Sequence, residues 1–233
     1  MFYSYIANLR RTCYNFDVIV SAIIIFLFWG ALMLDRTIPA ASVSLYKKDT
    51  KNYPIYSLPA GYSFSYYEKG DEIAWAEINT SVGQFESTEQ GLESFKRCFI
   101  TNQNLTPEER IIFVKAPNGE FIATAALWNG LYLGEETQRI HWVAVTDKCT
   151  GLGIAKAMLT KLMDMYNELG YENFIHLWTG TRNFAAIAIY KSFGFDYYHG
   201  NINPRNNKRA EGFYEKNETA IAFIEEKISQ YKK

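Results

Sequence analysis

Cysteine is scarce in this chain. Cys13, Cys98 and Cys149 are the only three, far apart and odd in number. They supply neither a disulfide framework nor a metal-ligand spacing, so no metal is expected and a reducing compartment is the simpler reading. Charge of one sign is also lacking. Lys and Arg total 24 against 25 Asp and Glu, for a formal net charge of -1. That balance excludes a global basic field for nucleic acid. Lys47-Lys48 and Lys232-Lys233 are isolated pairs, too short for a basic patch. No internal repeat is present. What remains is a globular composition, 48% hydrophobic and 21% charged over 233 residues. A chain of that length buries a sizeable core without a metal or disulfide staple.

One run departs from this pattern. Residues 18–34, VIVSAIIIFLFWGALML, carry no charge. A full span usually needs roughly 20 apolar residues, so this run is at the short end. Arg10 and Arg11 precede it, and Asp35 and Arg36 close it. The positive-inside rule would then put the N-terminus in the cytoplasm and the rest of the chain outside. Three readings stay open: a membrane anchor, an apolar packing or interface helix, and a cleaved signal segment. Small residues at Ile38–Ala41 meet a cleavage pattern only loosely. The sequence thus divides into an apolar segment at 1–36, a polar, proline-bearing connector at 37–55, a main domain at 56–200 and a C-terminal extension at 201–233.

Within the main domain, YSFSYYEKG reads as a strand ended near Gly70. Asp71–Val82 has apolar residues near helical spacing. Ser87 and Gln90 form a capping box for a second helix. Residues 111–116 and 121–128 flank Asn118-Gly119, a hairpin turn in which both residues tolerate positive φ. IHWVAV at 140–145 is a further strand. Gly153–Leu169 is an amphipathic helix with Gly170 at its C-terminal cap. FIHLW at 174–178 is a buried strand, Asn183–Phe193 a helix, FDYY a resumed strand and Asn217–Gln230 a terminal helix. A hairpin followed by strand–helix–strand–helix–strand is a mixed α/β layer, not a purely alternating doubly wound sheet.

The sharpest chemistry lies in VAVTDKCTGLGIAKAML, residues 143–159. An apolar strand passes through Gly151 and Gly153 into a helix. Glycines let backbone approach a phosphate, and the free N–H groups of the first helical turn point at it. Lys148 and Thr150 could add a cation and a hydroxyl. A P-loop needs Gly-Lys-Ser/Thr at its end, and Gly153 is followed by Ile154 and Ala155. A dinucleotide frame needs a third glycine or alanine where Lys156 stands.

Lys148-Cys149-Thr150-Gly151-Leu152-Gly153 resembles the [Gln/Arg]-x-x-Gly-x-[Gly/Ala] stretch of the GNAT superfamily of N-acyltransferases. Lysine replaces the usual Gln or Arg, so the planar fork is absent. A second stretch, WTGTRNFAAIAIYKSFGF at 178–195, is similar to that family's Asn-x-x-Ala-x-x-x-Tyr-x-x-x-Gly-Phe pattern through Asn183, Ala186, Tyr190, Gly194 and Phe195. The likeness covers roughly residues 56–198, most specifically 140–195. It implies a mixed, mostly antiparallel sheet flanked by helices, here with an extra apolar N-terminal helix. It also implies acetyl-CoA, or another acyl-CoA, as donor.

The cofactor arm would then contact Val143, Val145, Lys148, Cys149, Thr150, Gly151, Leu152, Gly153, Ile154, Ala155, Asn183, Ala186 and Tyr190. The resemblance places the Tyr190 phenol as general acid for the leaving thiolate, against the alternative of a packed helix residue. His141, with an ordinary pKa, would be poised as a base near neutrality or would merely be a structural strand residue. Glu77 and Glu86 could bind or deprotonate the acceptor amine, though such glutamates are more often solvated. Trp75, Trp128 and Trp142 could wall its pocket or sit in the core.

The expected reaction is acyl transfer to a primary amine of a small molecule or peptide within a ternary complex. The alternative is a non-catalytic acyl-CoA sensor or a membrane-tethered binding module. A donor of this kind implies a cytoplasmic catalytic domain, membrane-associated if residues 18–34 anchor it. The acceptor and the oligomeric state are not legible in the sequence.

Overall fold

The structure, a computed structural model, describes residues 40–101 and 105–231. The apolar run at 18–34, and the N-terminal helix expected there, lie outside the described residues. Among the described residues no helix is long and apolar enough to cross a membrane.

The early part of the main domain follows its local signals. Strand β2, Ser63–Tyr66, precedes helix α1, Glu72–Ser81. Helix α2, Thr88–Phe95, starts at the expected cap, where the Ser87 hydroxyl accepts from the Gln90 N–H. The Gln90 side chain closes the box one residue further back, on the Glu86 N–H at 2.8 Å. A π-helical turn, Lys96–Ile100, extends α2, and a single turn, α3 (Pro107–Arg110), leads into the sheet.

Strands β3 (Ile111–Lys115) and β4 (Phe121–Tyr132) form the first hairpin. Only Gly119 of its turn takes positive φ, +84°; Asn118 does not. Strand β5, Glu135–Val145, pairs back along β4 through a second hairpin. Its turn puts Leu133 at φ 55° and Gly134 at φ 88°. A leucine in that region is uncommon, which is why this turn has no clear sequence signal. Both strands therefore run well beyond the lengths read from apolar patterning.

Helix α4, Ile154–Glu168, crosses from β5 to the parallel strand β6, Ile175–Gly180. Its C-terminus is a Schellman motif. Gly170 has φ 75°, the Tyr171 N–H reaches the Tyr166 carbonyl and the Gly170 N–H reaches the Asn167 carbonyl. Helix α5 (Phe184–Ser192), strand β7 (Asp196–Tyr197), a small hairpin of β8 (Ile202–Asn203) and β9 (Lys208–Arg209), and helix α6 (Phe213–Tyr231) complete the chain.

The connector expected at 37–55 contains a strand. Residues Ser42–Lys47 form β1, which pairs antiparallel with β6 on one side and β7 on the other. Its alternation is short and its partner lies some 135 residues away (Leu45 opposite Leu177). No local signal could report that pairing. The sheet order is β2-β3-β4-β5-β6-β1-β7, antiparallel at every junction except β5–β6.

The sheet has two different faces. One carries Ile112, Ala125, Leu127, Ile140, Leu177 and Leu45, all buried and apolar. The other is aromatic and packs against α1, α2 and the π turn. Trp75 meets Phe95 and Phe99 edge-on at 5.2 and 5.7 Å, and Phe99 meets Trp128 at 4.7 Å. Offset and edge contacts of this kind add about 0.5–1.5 kcal/mol each beyond area burial. Trp75 and Trp128 are fully buried in this cluster, so they belong to the core and not to a pocket wall.

Candidate active site

Strands β5 and β6 pair only over Gln138–Ile140 and Ile175–Leu177. Beyond that point β5 stays with β4, while β6 stays with β1 up to Gly180. The two parallel strands thus part, and among the described residues one edge of β5 from His141 to Val145 has no strand beside it. A bulge accompanies the parting. Between the pairs Ala126–His141 and Thr124–Ala144, β5 has two residues, Trp142 and Val143, against the single Ala125. Trp142 sits at φ 49°, a left-handed conformation rare for a bulky residue. Its indole is held there by Trp75, Phe85 and His141, with ring centroids at 5.3, 5.3 and 4.9 Å.

The parting opens a cavity of about 250 Å³. His141, Trp142 and Val143 line it from β5, Trp178 and Thr179 from β6, Asn183 from the cap of α5, and Ala186 and Tyr190 from α5 itself. Strand β5 and the second sequence motif therefore border one space, although Val143 and Asn183 are 40 residues apart. Asn183 is fixed by a bond from its amide nitrogen to the Thr179 hydroxyl at 3.2 Å. Burial pushes the Tyr190 phenol far above its ordinary value, so it keeps its proton at neutral pH. Val82 and Gln84, from the end of α1 and the loop after it, also line the cavity. Sequence reasoning missed them and Thr179, because only the tertiary fold brings that loop and β6 to β5.

The glycine turn closes the other end of β5. After a 3-10 turn at Asp147–Cys149, Gly151 and Gly153 take φ 79° and 80°. A Cβ built on either would meet nothing within 4 Å, so these positions are open and glycine serves conformation there. The first bond of α4 runs from the Ala157 N–H to the Gly153 carbonyl. Ile154, Ala155 and Lys156 therefore present N–H groups with no intrahelical acceptor. Leu152 is exposed on this turn.

Other side chains of the turn are committed elsewhere. The Cys149 N–H donates to the Thr146 carbonyl, and its thiol is buried beside Tyr62. The Thr150 hydroxyl donates to the Asp147 carbonyl at 2.8 Å, so its proton is spent inside the turn. Lys148 is exposed, and with Cys149 it lines a second hollow between α1 and the sheet.

The candidate bases separate. His141 faces the cavity and its Nε2 has no partner. Burial, then the charges of Arg139 and Arg205, hold its imidazole well below the ordinary histidine value. That corrects the expectation of a base poised near neutrality: His141 is neutral throughout the physiological range and a weak base. Glu77 is exposed and lines the second hollow beside Thr146–Cys149, not the cavity. Glu86 is exposed at the head of α2 and does not line the cavity. The structure thus brings together His141, Val143, Asn183, Ala186 and Tyr190, and leaves both glutamates outside. Among the described residues no group of His, Cys, Asp or Glu could hold a metal ion.

Comparison with known proteins agrees with this geometry. The model of the acetyltransferase (GNAT) family matches residues 75–195. An uncharacterized N-acetyltransferase of Methanocaldococcus jannaschii is 30% identical over 92 residues, 38% of this chain and 40% of that protein. Among solved structures, a GCN5-related N-acetyltransferase from Sphaerobacter thermophilus superposes with a TM-score of 0.53 at 19% identity, over 69% of this chain and 50% of that one. A GNAT-family acetyltransferase from Colwellia psychrerythraea gives 0.51 at 16% identity, over 69% and 54%. At these identities the structural likeness speaks for the fold. The matched region spans about half of these relatives' length, or less.

Proposed function

The chain belongs to the acetyltransferase (GNAT) family, and from that premise we propose that it transfers an acetyl group from acetyl-CoA to a primary amine. The observation that carries the reading is the parting of β5 and β6 between the glycine turn and Tyr190. The open positions at Gly151 and Gly153 and the free amides at the head of α4 suit an anionic pyrophosphate arm. The unpaired edge of β5 offers main-chain partners to an amide-bearing arm. The bound donor supplies an activated acyl thioester.

The chain's own residues then supply binding and proton transfer. The main chain at the Trp142–Val143 bulge polarises the acyl carbonyl. The cavity holds the amine against it, so that a C–N bond forms as the C–S bond breaks. His141 Nε2 takes the amine's proton, and Tyr190 Oη gives one to the departing sulfur. A weakly basic His141 suits an amine that arrives already neutral. Glu77 and Glu86 do not line the cavity, which is why the part is given to His141.

Release of free thiol from acetyl-CoA, followed with a panel of small amines and peptides, tests this reading. Amine-dependent release is expected. Coenzyme A binding without release for any amine would favour a non-catalytic sensor instead.

A further inference from the structure

Next to the cavity, on the same face of the sheet, lies a cationic group with no partner among the described residues. His141 lines the cavity, and Arg139 stands two residues along β5, about 7 Å further on. Arg139 is opposite Trp128 on β4 and His176 on β6. Gly130 gives it room: a Cβ there would stand 2.9 Å from Arg139 Cδ and 3.4 Å from His176 Nε2. Arg139 Nε, His141 Nε2 and both ring nitrogens of His176 are buried without a hydrogen-bond partner among the described residues.

A guanidinium taken out of water is costly unless a counter-charge meets it. None does here among the described residues. The charge that reaches Arg139 is that of Arg205, and those that reach His141 are Arg139, Arg205 and His176. No carboxylate is among them, and Arg139 enters no ion pair. Arg205 comes from the β8–β9 hairpin, tied to the sheet by the Leu133 N–H on the Pro204 carbonyl at 2.7 Å. Two cations from separate elements thus act on His141, which lines the cavity, while the Arg139 side chain itself lies over Gly130.

We propose that the amine acceptor carries an oxyanion, which Arg139 binds with help from Arg205 while the amine lies at His141. The proposal rests on the transferase reading above and names its substrate class. A planar fork of donors matches a carboxylate, and it also accepts a phosphate. The spacing from His141 to Arg139 fits a compact molecule with its amine at one end and its anion at the other. Such an acceptor would also offset the Arg139 and Arg205 charges, which after burial are the next causes that hold His141 down.

The test uses the full chain and matched acceptors: amino acids of increasing length, their methyl esters, aminoalkyl phosphates and polyamines. Thiol release should favour an acid or a phosphate over its neutral counterpart, and the arms distinguish the two anions. In Arg139→Met the KM for the anionic acceptor should rise about ten- to a hundredfold, and the preference for acid over ester should collapse. Arg139→Lys should restore part of it. The melting temperature of Arg139→Met should not fall, because a half-buried guanidinium with no counter-charge among the described residues is removed. Esters or polyamines used as well as acids would overturn the proposal, as would an Arg139→Met loss that is equal for all acceptors. If no amine releases thiol, calorimetry of the same pairs on the coenzyme A-loaded chain decides. Binding of acid over ester, lost in Arg139→Met, supports the anion site; equal or absent binding rejects it. Failure of coenzyme A itself to bind would instead reject the transferase reading.

Discussion

Two desolvated imidazoles, His176 in the core and His141 at the cavity, give the fold a defined pH dependence. His176 is fully buried, and burial, then Arg139, pushes its pKa down to about 3. His141 is shifted in the same direction. In the unfolded chain both titrate near 6.5. Between those values the unfolded chain binds more protons than the fold does. Stability is therefore fully present above about pH 6.5 and is lost as pH falls, with a slope of up to ~1.4 kcal/mol per pH unit for each histidine. Denaturant unfolding from pH 7 to pH 4 should show this, and His176→Phe should flatten it; a wild-type profile with no slope would contradict the burial argument. Tyr190 makes the complementary prediction for chemistry. As the protonated donor it should be needed for turnover, so Tyr190→Phe should lower kcat by about 10²–10⁴ and leave coenzyme A affinity nearly unchanged. Equal losses in both would make it a packing residue. Tyr190 was legible in the sequence because its motif is local. Arg139 and His176 were not, since only cross-strand register places them side by side.

At the scale of elements, legibility followed the range of the interaction. The head of α4 and the α2 cap announced themselves, because every group that makes them lies within a few residues. Strand β1 and the Leu133-Gly134 turn did not. The first depends on pairing with a strand at the far end of the domain, and the second forces a leucine into a conformation that sequence rules assign to glycine or asparagine. The parting of β5 and β6 is a further property that no single strand carries. β1 makes a direct prediction. Leu45 is fully buried and lies between β6 and β7. Leu45→Asp should cost about 3–5 kcal/mol in chemical denaturation, as an unpaired charge placed in an apolar core. A loss below about 1 kcal/mol would mean that residues 42–47 are the connector that their composition suggests.

For the molecule as a whole, the donor and acceptor sides of the site arise differently. The proposed donor side is backbone: a glycine turn, a helix terminus and a strand edge with no neighbour among the described residues. On that proposal a backbone site tolerates side-chain change, and Lys148 can stand where the family pattern has another residue. The proposed acceptor side uses side chains on separate strands and a late hairpin, and such a set makes no linear motif. The most direct measurement is calorimetric titration of the full chain with coenzyme A, beside Gly151→Val and Gly153→Val. Binding should be clear in the parent chain and severely weakened in both variants. Each should lose only about 1–2 kcal/mol of stability from its positive φ. No binding to the parent chain, or equal affinity in all three, would contradict the assignment of the glycine turn as the donor site.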